Sequence, residues 1–446
     1  MCDHYHPQSC DTPDPSDAGF TRRRFLGHGL GLISAASTVP AFLMRSGDAM
    51  AADTTMRLTS RAGVPEGRVL VVVQLSGGND GLNTVVPFGL DAYHDARPNL
   101  AIKPDEAIQI PGVDGYGLHP ALGPVAEMID AGLCGVVQGV GYPNPNRSHF
   151  ASMDIWHTAS QGGEGSGGRG WLGLALDEVQ ERSGMDMLSI GNEAPLATLG
   201  RQARPVSFEN AQLFRWAGRD LDGKVDEAYQ QTQDISPHPD AAHGSTSGGG
   251  GEDPLAFVQR TALDAEVASD KVRKAVRSDS HVEWPRSGLA NQLKMVAKMI
   301  RAELPTRVYY VAMGGFDTHA NQANNHRNLM DQFAKAMKAF YDELGKTGNR
   351  DRVVSLAFSE FGRRVRQNAS AGTDHGCAGP SFVFGEPVNP GLIGRHPSLD
   401  RLDNGDLIHS VDFRSLYTDL LGDWLKLDAR AALGKRYPSA GILRTA

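Results

Sequence analysis

The chain has 446 residues, of which 40% are hydrophobic, and 52 Asp and Glu outweigh 44 Lys and Arg to give a formal net charge of −8. Acids and bases are dispersed, so no basic face invites nucleic acid or anionic lipid, and nucleic-acid binding is disfavoured. Four cysteines are too few for a disulfide framework in a chain of this size; Cys2 and Cys10 fall in the first segment, and Cys134 and Cys377 read as two unpaired thiols.

Residues 1–51 have the order of a removable export signal. A polar stretch leads to Arg22-Arg23-Arg24-Phe25-Leu26, a weakly apolar span runs to Met44, and the segment closes on Ala49-Met50-Ala51. The paired arginines before Phe-Leu mark the twin-arginine type, although Gly27 stands where the usual motif prefers Lys. The expected location is the periplasm or outside the cell, with the twin-arginine translocase as partner during export. A stable membrane anchor is not expected, because a spanning helix wants about twenty strongly apolar residues and Gly27, His28, Gly29, Gly31 and Pro40 interrupt this one.

About 395 residues follow, enough for one large α/β domain or two ordinary ones. Arg68 to Leu75 is a continuous β-branched run of the kind found in strands buried on both faces of a parallel sheet. Pro120 to Ala131 has helical spacing, and Leu133 to Val140 is again a strand. Residues 160–254 contain two Gly- and Ser-rich stretches, around 160–170 and 236–254, and the part between them reads as an insertion, with a helix over Trp171 to Arg182 and strands near Leu188 and Pro205. Helical periodicity returns from Leu255 to Val276 and from Ser287 to Glu303. Strand Thr306 to Met313, helix His326 to Leu344, strand Arg352 to Phe358, a short strand Ser381 to Phe384 and a closing helix Asp412 to Leu427 complete the order. Strands alternating with helices argue an α/β fold, a doubly wound, mostly parallel sheet with helices on both faces.

The unusual residues sit in the loops Ser76 to Asp80, Asn144 to His149, Gly314 to His319, Ser359 to Arg363 and Gly372 to Gly376. In an open parallel sheet such loops converge beyond the carboxyl ends of the strands. Their contents are Asp80, Ser148 with His149, Asp317 with His319, Glu360, and Asp374 with His375. Carboxylates and imidazoles mixed in that way suit borderline divalent cations such as Zn²⁺ or Mn²⁺, and would be costly to gather without one. A serine beside such an ion can be ionised at neutral pH, which makes Ser148 the candidate nucleophile, with Arg147 or Arg363 to meet a bound anion. Each has a plainer reading: Asp80 as a turn residue, Asp317 and Ser148 as helix caps, Glu360 and Arg363 as a structural ion pair. His326, His396 and His409 read as surface or packing histidines. Gly345-Lys346-Thr347 lacks the glycine a phosphate loop needs before it, and Ser148 lacks the flanking glycines of an esterase elbow.

The motifs Ser-Gly-Gly-Asn-Asp-Gly-Leu-Asn at 76 to 83, Asn-Arg-Ser-His-Phe at 146 to 150, Gly-Gly-Phe-Asp-Thr-His at 314 to 319, Phe-Ser-Glu-Phe-Gly-Arg at 358 to 363 and Gly-Thr-Asp-His-Gly at 372 to 376 resemble those of the exported bacterial family called domain of unknown function 1501, within the alkaline phosphatase and sulfatase superfamily. The chain after the signal, 52–446, reads as one domain; the resemblance runs from about Arg68 to Leu425 and implies a hydrolase of phosphate or related esters that takes one or two divalent ions and acts on an anionic small-molecule or polymer ester. It further implies Asp80, Asp374 and His375 as ligands of the second metal, Ser148 as nucleophile, and Asp317 with His319 at the first metal. The spacing departs from the superfamily there: His319 follows Asp317 by two residues instead of four, and the later histidine of that site has no clear counterpart, His396 being the nearest choice and Glu360 a substitute. The sulfatase pattern, Cys or Ser then x-Pro-x-Arg, is absent around Ser148, which argues against a formylglycine mechanism. A second class of function also fits the motifs: a non-catalytic exported metal-binding or assembly protein that keeps the fold.

Overall fold

Seven residues dominated by valine, Val69–Leu75 (β1), form an inner strand of a nine-stranded sheet. The computed structural model describes residues 67–160, 168–179, 185–191, 193–209 and 269–444; the export signal and the Gly-rich stretch 236–254 lie outside the described residues. The other strands are Cys134–Gly141 (β2), Met187–Ile190 (β3), Val206–Phe208 (β4), Val308–Met313 (β5) and Val353–Phe358 (β6). After them a two-stranded ribbon, Arg363–Gln367 (β7) with Thr373–His375 (β8), precedes Gly379–Phe384 (β9), Gly391–Ile393 (β10) and Val411–Asp412 (β11). The order across the sheet is β10, β2, β9, β6, β1, β5, β3, β4, with β11 also on β2. Within this sheet, among the described residues, every pairing is parallel except those of β9, which runs against both β2 and β6.

The sheet is wound on both faces. Along β1 alternate residues enter different cores, because successive side chains of a strand point to opposite faces. Val69, Val71, Val73 and Leu75 join one cluster and Leu70 and Val72 the other. The first face is covered by helices Gly123–Asp130 (α1), Gly288–Arg301 (α4) and Gln322–Lys346 (α5), and the second by His149–Thr158 (α2), Trp171–Asp177 (α3) and the segment Phe413–Thr418 with the π-helical turn after it. The expected α/β class, doubly wound and mostly parallel, is the one observed. Local signals set several ends: Ser287 caps α4 by accepting from Ala290 N at 3.2 Å, as an N-terminal serine can.

Two expectations change. The stretch read as an insertion contributes β3 and β4 to the edge of the main sheet, in register with β5, so part of it is integral to the domain. The segment 372–376 does not follow a strand of the sheet; it is half of the ribbon, where His375 stands opposite Arg363. Cys134 and Cys377 are both free thiols. Among the described residues no helix is long and apolar enough to cross a membrane.

Three histidines are packed inside. His326 Nε2 meets Asn79 Oδ1 at 3.0 Å, His119 lies edge-on to it with ring centroids 5.4 Å apart, and His157 Nε2 meets Gln74 Oε1 at 3.0 Å. Burial disfavours their charged forms and pulls them from 6.5 to about 4 for His326 and His157 and to about 3 for His119. In each case the folded value is depressed, so the unfolded chain binds more protons below pH 6.5. The stability they allow is complete above 6.5 and is lost as pH falls toward 4. Each is expected to contribute up to about 1.4 kcal/mol per pH unit to that slope. Urea unfolding of wild type and His157→Gln between pH 7 and 4.5 checks it: the variant should show the shallower slope, and an identical slope would show that His157 titrates normally.

Candidate functional site

Because β9 is antiparallel to both β2 and β6, strands β1, β2, β5 and β6 all run the same way, and the loops after their carboxyl ends meet at one end of the sheet. Close backbone approach makes glycine necessary there. Gly77 has φ +121°, and a β-carbon on it would collide with the backbone of Phe316 and Asp317; one on Gly372 would strike that of His319. The loop after β1 is thereby pressed onto the loop after β5, and the ribbon onto the same loop.

At the meeting point stands Asp317. Around its Oδ1 lie His319 Nε2 at 3.0 Å, His375 Nε2 at 3.2 Å and His149 Nε2 at 3.4 Å, with His319 Nε2 and His375 Nε2 2.9 Å from each other. The far nitrogen of each ring has a fixed partner. His149 Nδ1 is 2.7 Å from Glu360 Oε1, His375 Nδ1 is 2.7 Å from the Arg147 carbonyl, and His319 Nδ1 is 3.2 Å from Asp374 Oδ1. Carboxylate and carbonyl oxygens only accept, so each Nδ1 is a donor to its partner and each Nε2 is turned toward Asp317. Three imidazole nitrogens and a carboxylate oxygen therefore face one another, and the buried His149 Nε2, 3.4 Å from Asp317 Oδ1, makes no hydrogen bond. That is the pattern of a divalent-cation site, in which outer acceptors orient the imidazoles and raise their basicity. The donor set fits: the ligand atoms of His149, Asp317 and His375 all lie within 4.8 Å of one another.

Arg363 sits behind this cluster. Its Nη2 donates to Asp317 Oδ1 at 2.6 Å, and its other bonds go to the carbonyls of Gly77, Gly78, Phe316 and Thr373. Burial tends to raise the Asp317 carboxyl, but the hydrogen bond and charge of Arg363, helped by His375 and His319, hold it down at about 2. The carboxylate is thus ionised throughout the physiological range.

The predicted residues fall into three groups. Asp317, His319 and His375 converge. Glu360 and Asp374 stand one shell further out: Glu360, 2% exposed, takes His149 Nδ1 and the Gly77 amide on Oε1 and the Ser359 hydroxyl on Oε2, while Asp374 holds His319. Asp80 and Arg363 are used elsewhere. Asp80 is sealed at 0% exposure against Arg97, 2.6 Å away, with Gln322 on the same oxygen and the Asn83 amide on the other, so a cation of the protein's own takes the place expected for a metal. Burial would raise its carboxyl, but Arg97 holds it below the usual carboxylate range. Arg363 has a side chain 0% exposed and faces no ligand; its role is to fix Asp317. Arg147 keeps its guanidinium on buried Asp406 with the side chain 39% exposed.

Ser148 precedes α2 at the surface. Its amide donates to Asn146 Oδ1 at 2.8 Å, and its hydroxyl makes no capping bond. His149 belongs to the loop inventory of possible ligands but is not singled out by the sequence as one. The third imidazole was sought downstream, at His396, which instead bonds the Pro397 carbonyl and packs on Tyr116; the clue was the His directly after the candidate nucleophile.

A family model described as "Protein of unknown function (DUF1501)" matches residues 112–430. No curated protein matches the chain. Solved structures with similar chains include the C-terminal periplasmic domain of EcEptC from Escherichia coli, at 10% identity over 86% of this chain and 88% of that one, with a TM-score of 0.35. A protein in the alkaline phosphatase superfamily from Vibrio parahaemolyticus matches at 9% identity over 80% and 71%, TM-score 0.31. The lipoteichoic acid synthase LtaP from Listeria monocytogenes matches at 10% over 79% and 73%, TM-score 0.32.

Proposed function

This chain belongs to the DUF1501 family of proteins of unknown function, and we propose that it is an exported metal-dependent hydrolase that cleaves a phosphate or related ester with Ser148 as nucleophile. The observation that carries the reading is the convergence of three outward-anchored imidazoles on Asp317, one of which, His149, directly follows the surface residue Ser148 in the chain. His149, Asp317, His319 and His375 would hold one ion, zinc or manganese by ligand type. With Asp80 committed to Arg97, no second ion is needed to account for the carboxylates. When bound, such an ion supplies Lewis acidity to the ester and lowers the pKa of an adjacent hydroxyl.

The protein's own groups do the rest. Ser148 adjoins His149 in sequence and does not spend its hydroxyl on the helix, so Oγ, giving up its proton, is available to attack the ester centre as the bond to the leaving alcohol breaks and the alcohol takes a proton; water then hydrolyses the seryl ester and restores the hydroxyl. The amino end of α2 favours the anion electrostatically, and Arg147, part-exposed beside the serine, is the arginine left to meet it. The substrate is an anionic small-molecule or polymer ester. Export by the twin-arginine route suits a site built from distant loops, which exists only in the folded chain and takes up its ion before crossing.

A second reading rests on the enclosure of Asp80 and Arg363. With both withdrawn from solvent, the same cluster would serve a non-catalytic metal-binding or assembly protein. Metal analysis of protein purified without chelator, followed by aryl phosphate and aryl sulfate assays, separates the two. Wild type should carry about one ion per chain and release the aryl alcohol. Ser148→Ala should keep the ion and lose about 10³-fold or more in turnover. Metal without turnover on either ester, and no change on Ser148→Ala, would transfer support to the binding protein.

A further inference from the structure

We infer that Gln322 is a positioning residue for the metal centre: one buried side-chain amide locks the loop bearing Asp317 and His319 to the strand bearing Asp374 and His375, and fixes both to the Asp80–Arg97 pair. The inference rests on the metal reading proposed above.

Gln322 is the first residue of α5 and is fully buried. Its Oε1 accepts from the Thr318 hydroxyl at 3.1 Å and from the Thr373 hydroxyl at 2.5 Å, and its Nε2 donates to Asp80 Oδ2. Two hydroxyl donors on one side and a carboxylate on the other settle which way the amide faces, since the carboxylate can only accept. Thr318 lies between Asp317 and His319, and Thr373 directly precedes Asp374 and His375. The main chain closes the same joint, with Thr373 N on Thr318 O at 3.2 Å and Gln322 N on Ala371 O at 2.9 Å.

The anchor does not give. Asp80 is gripped by Arg97, whose remaining donors reach Asn83 Oδ1 and the Arg364 and Val365 carbonyls, so the amide hangs from a buried, hydrogen-bonded ion pair. This accounts for an aspartate in the first glycine-rich loop that does not reach the cluster: it holds the cluster's two halves in register through Gln322. A leucine at 322 would fill the space but leave the Thr318 and Thr373 hydroxyls and Asp80 Oδ2 each without this partner. The two loops could then shift independently, and a metal site tolerates little such shift.

The test is Zn²⁺ affinity, read by competition with a chromogenic chelator, alongside urea unfolding, for wild type, Gln322→Leu, Thr373→Val and Thr373→Ser. Tyr341→Phe is the control: it removes a buried hydroxyl near the other end of α5, where it bonds Ser355 and the Phe384 carbonyl. Gln322→Leu and Thr373→Val should weaken Zn²⁺ about 10–100-fold, the range for outer-shell partners. Thr373→Ser should restore wild-type affinity, and Tyr341→Phe should lose stability with affinity unchanged. Should Gln322→Leu fail to fold, the Thr373→Val and Thr373→Ser pair decides alone. Wild-type Zn²⁺ affinity in both Gln322→Leu and Thr373→Val would overturn the clamp and leave the metal site standing. A wild type that takes up no Zn²⁺ would overturn the metal reading and the clamp with it.

Discussion

Replacing Arg97 with leucine is expected to destabilise the protein by about 3–5 kcal/mol, the cost of breaking a buried ion pair from one side. Both side chains of the Asp80–Arg97 pair are 0% exposed, so no water replaces the lost guanidinium. Asp80 would keep only Gln322 and the Asn83 amide, and burial, the largest influence and no longer countered by Arg97, would push its carboxyl above the ordinary value of 3.8. The sign of the pH dependence follows: with the folded value raised, the variant is relatively most stable below pH 3.8 and loses stability as pH rises through the new value. Arg97→Leu combined with Asp80→Leu should regain much of the loss, because replacing both partners removes the uncompensated charge. Urea unfolding of the two single variants and the double at pH 7 measures the coupling. Additive losses, with no recovery in the double, would mean that the pair is not the closed unit described here.

His149→Ala is expected to abolish stabilisation by metal. Wild type should gain about 2.7 kcal/mol against unfolding at a free Zn²⁺ concentration a hundredfold above its Kd, since an ion bound only to the folded state shifts the equilibrium by mass action. The variant loses the imidazole whose Nε2 faces Asp317 and makes no hydrogen bond. It should still fold, because Glu360 keeps the Gly77 amide and the Ser359 hydroxyl. His396→Ala is the comparison, its ring lying against Tyr116 and outside the cluster. Chemical unfolding with and without Zn²⁺ reads the difference, and an equal Zn²⁺ shift in wild type and His149→Ala would remove His149 from the centre.

The two variants mark where sequence reading reached its limit. Asp80 and His149 both sit in recognisable motifs, with side chains that ligate metals. Asp80 is withdrawn by Arg97, 17 residues downstream, which no motif flagged. His149 is drawn in by Glu360, 211 residues away. Glu360 and Asp374 are legible as carboxylates of the site but fall behind the histidines, because folding brings their oxygens to the Nδ1 atoms of His149 and His319, on the far side of each ring from Asp317.

By itself the sequence determined what depends on short stretches of chain: the strands, through β-branched runs such as Val69–Leu75; the helices, through their apolar spacing; and the set of loops that carry chemistry, through glycines placed where backbones must touch. The doubly wound sheet followed from the alternation of those elements. Only the tertiary structure decided that Gly379–Phe384 runs against its neighbours, that residues near 188 and 206 extend the sheet, and which imidazoles share one carboxylate. The physical reason is one of range: a strand or cap is specified by interactions within a few residues, whereas a charged side chain becomes ligand, anchor or ion pair according to the partner that folding brings within about 3 Å of it.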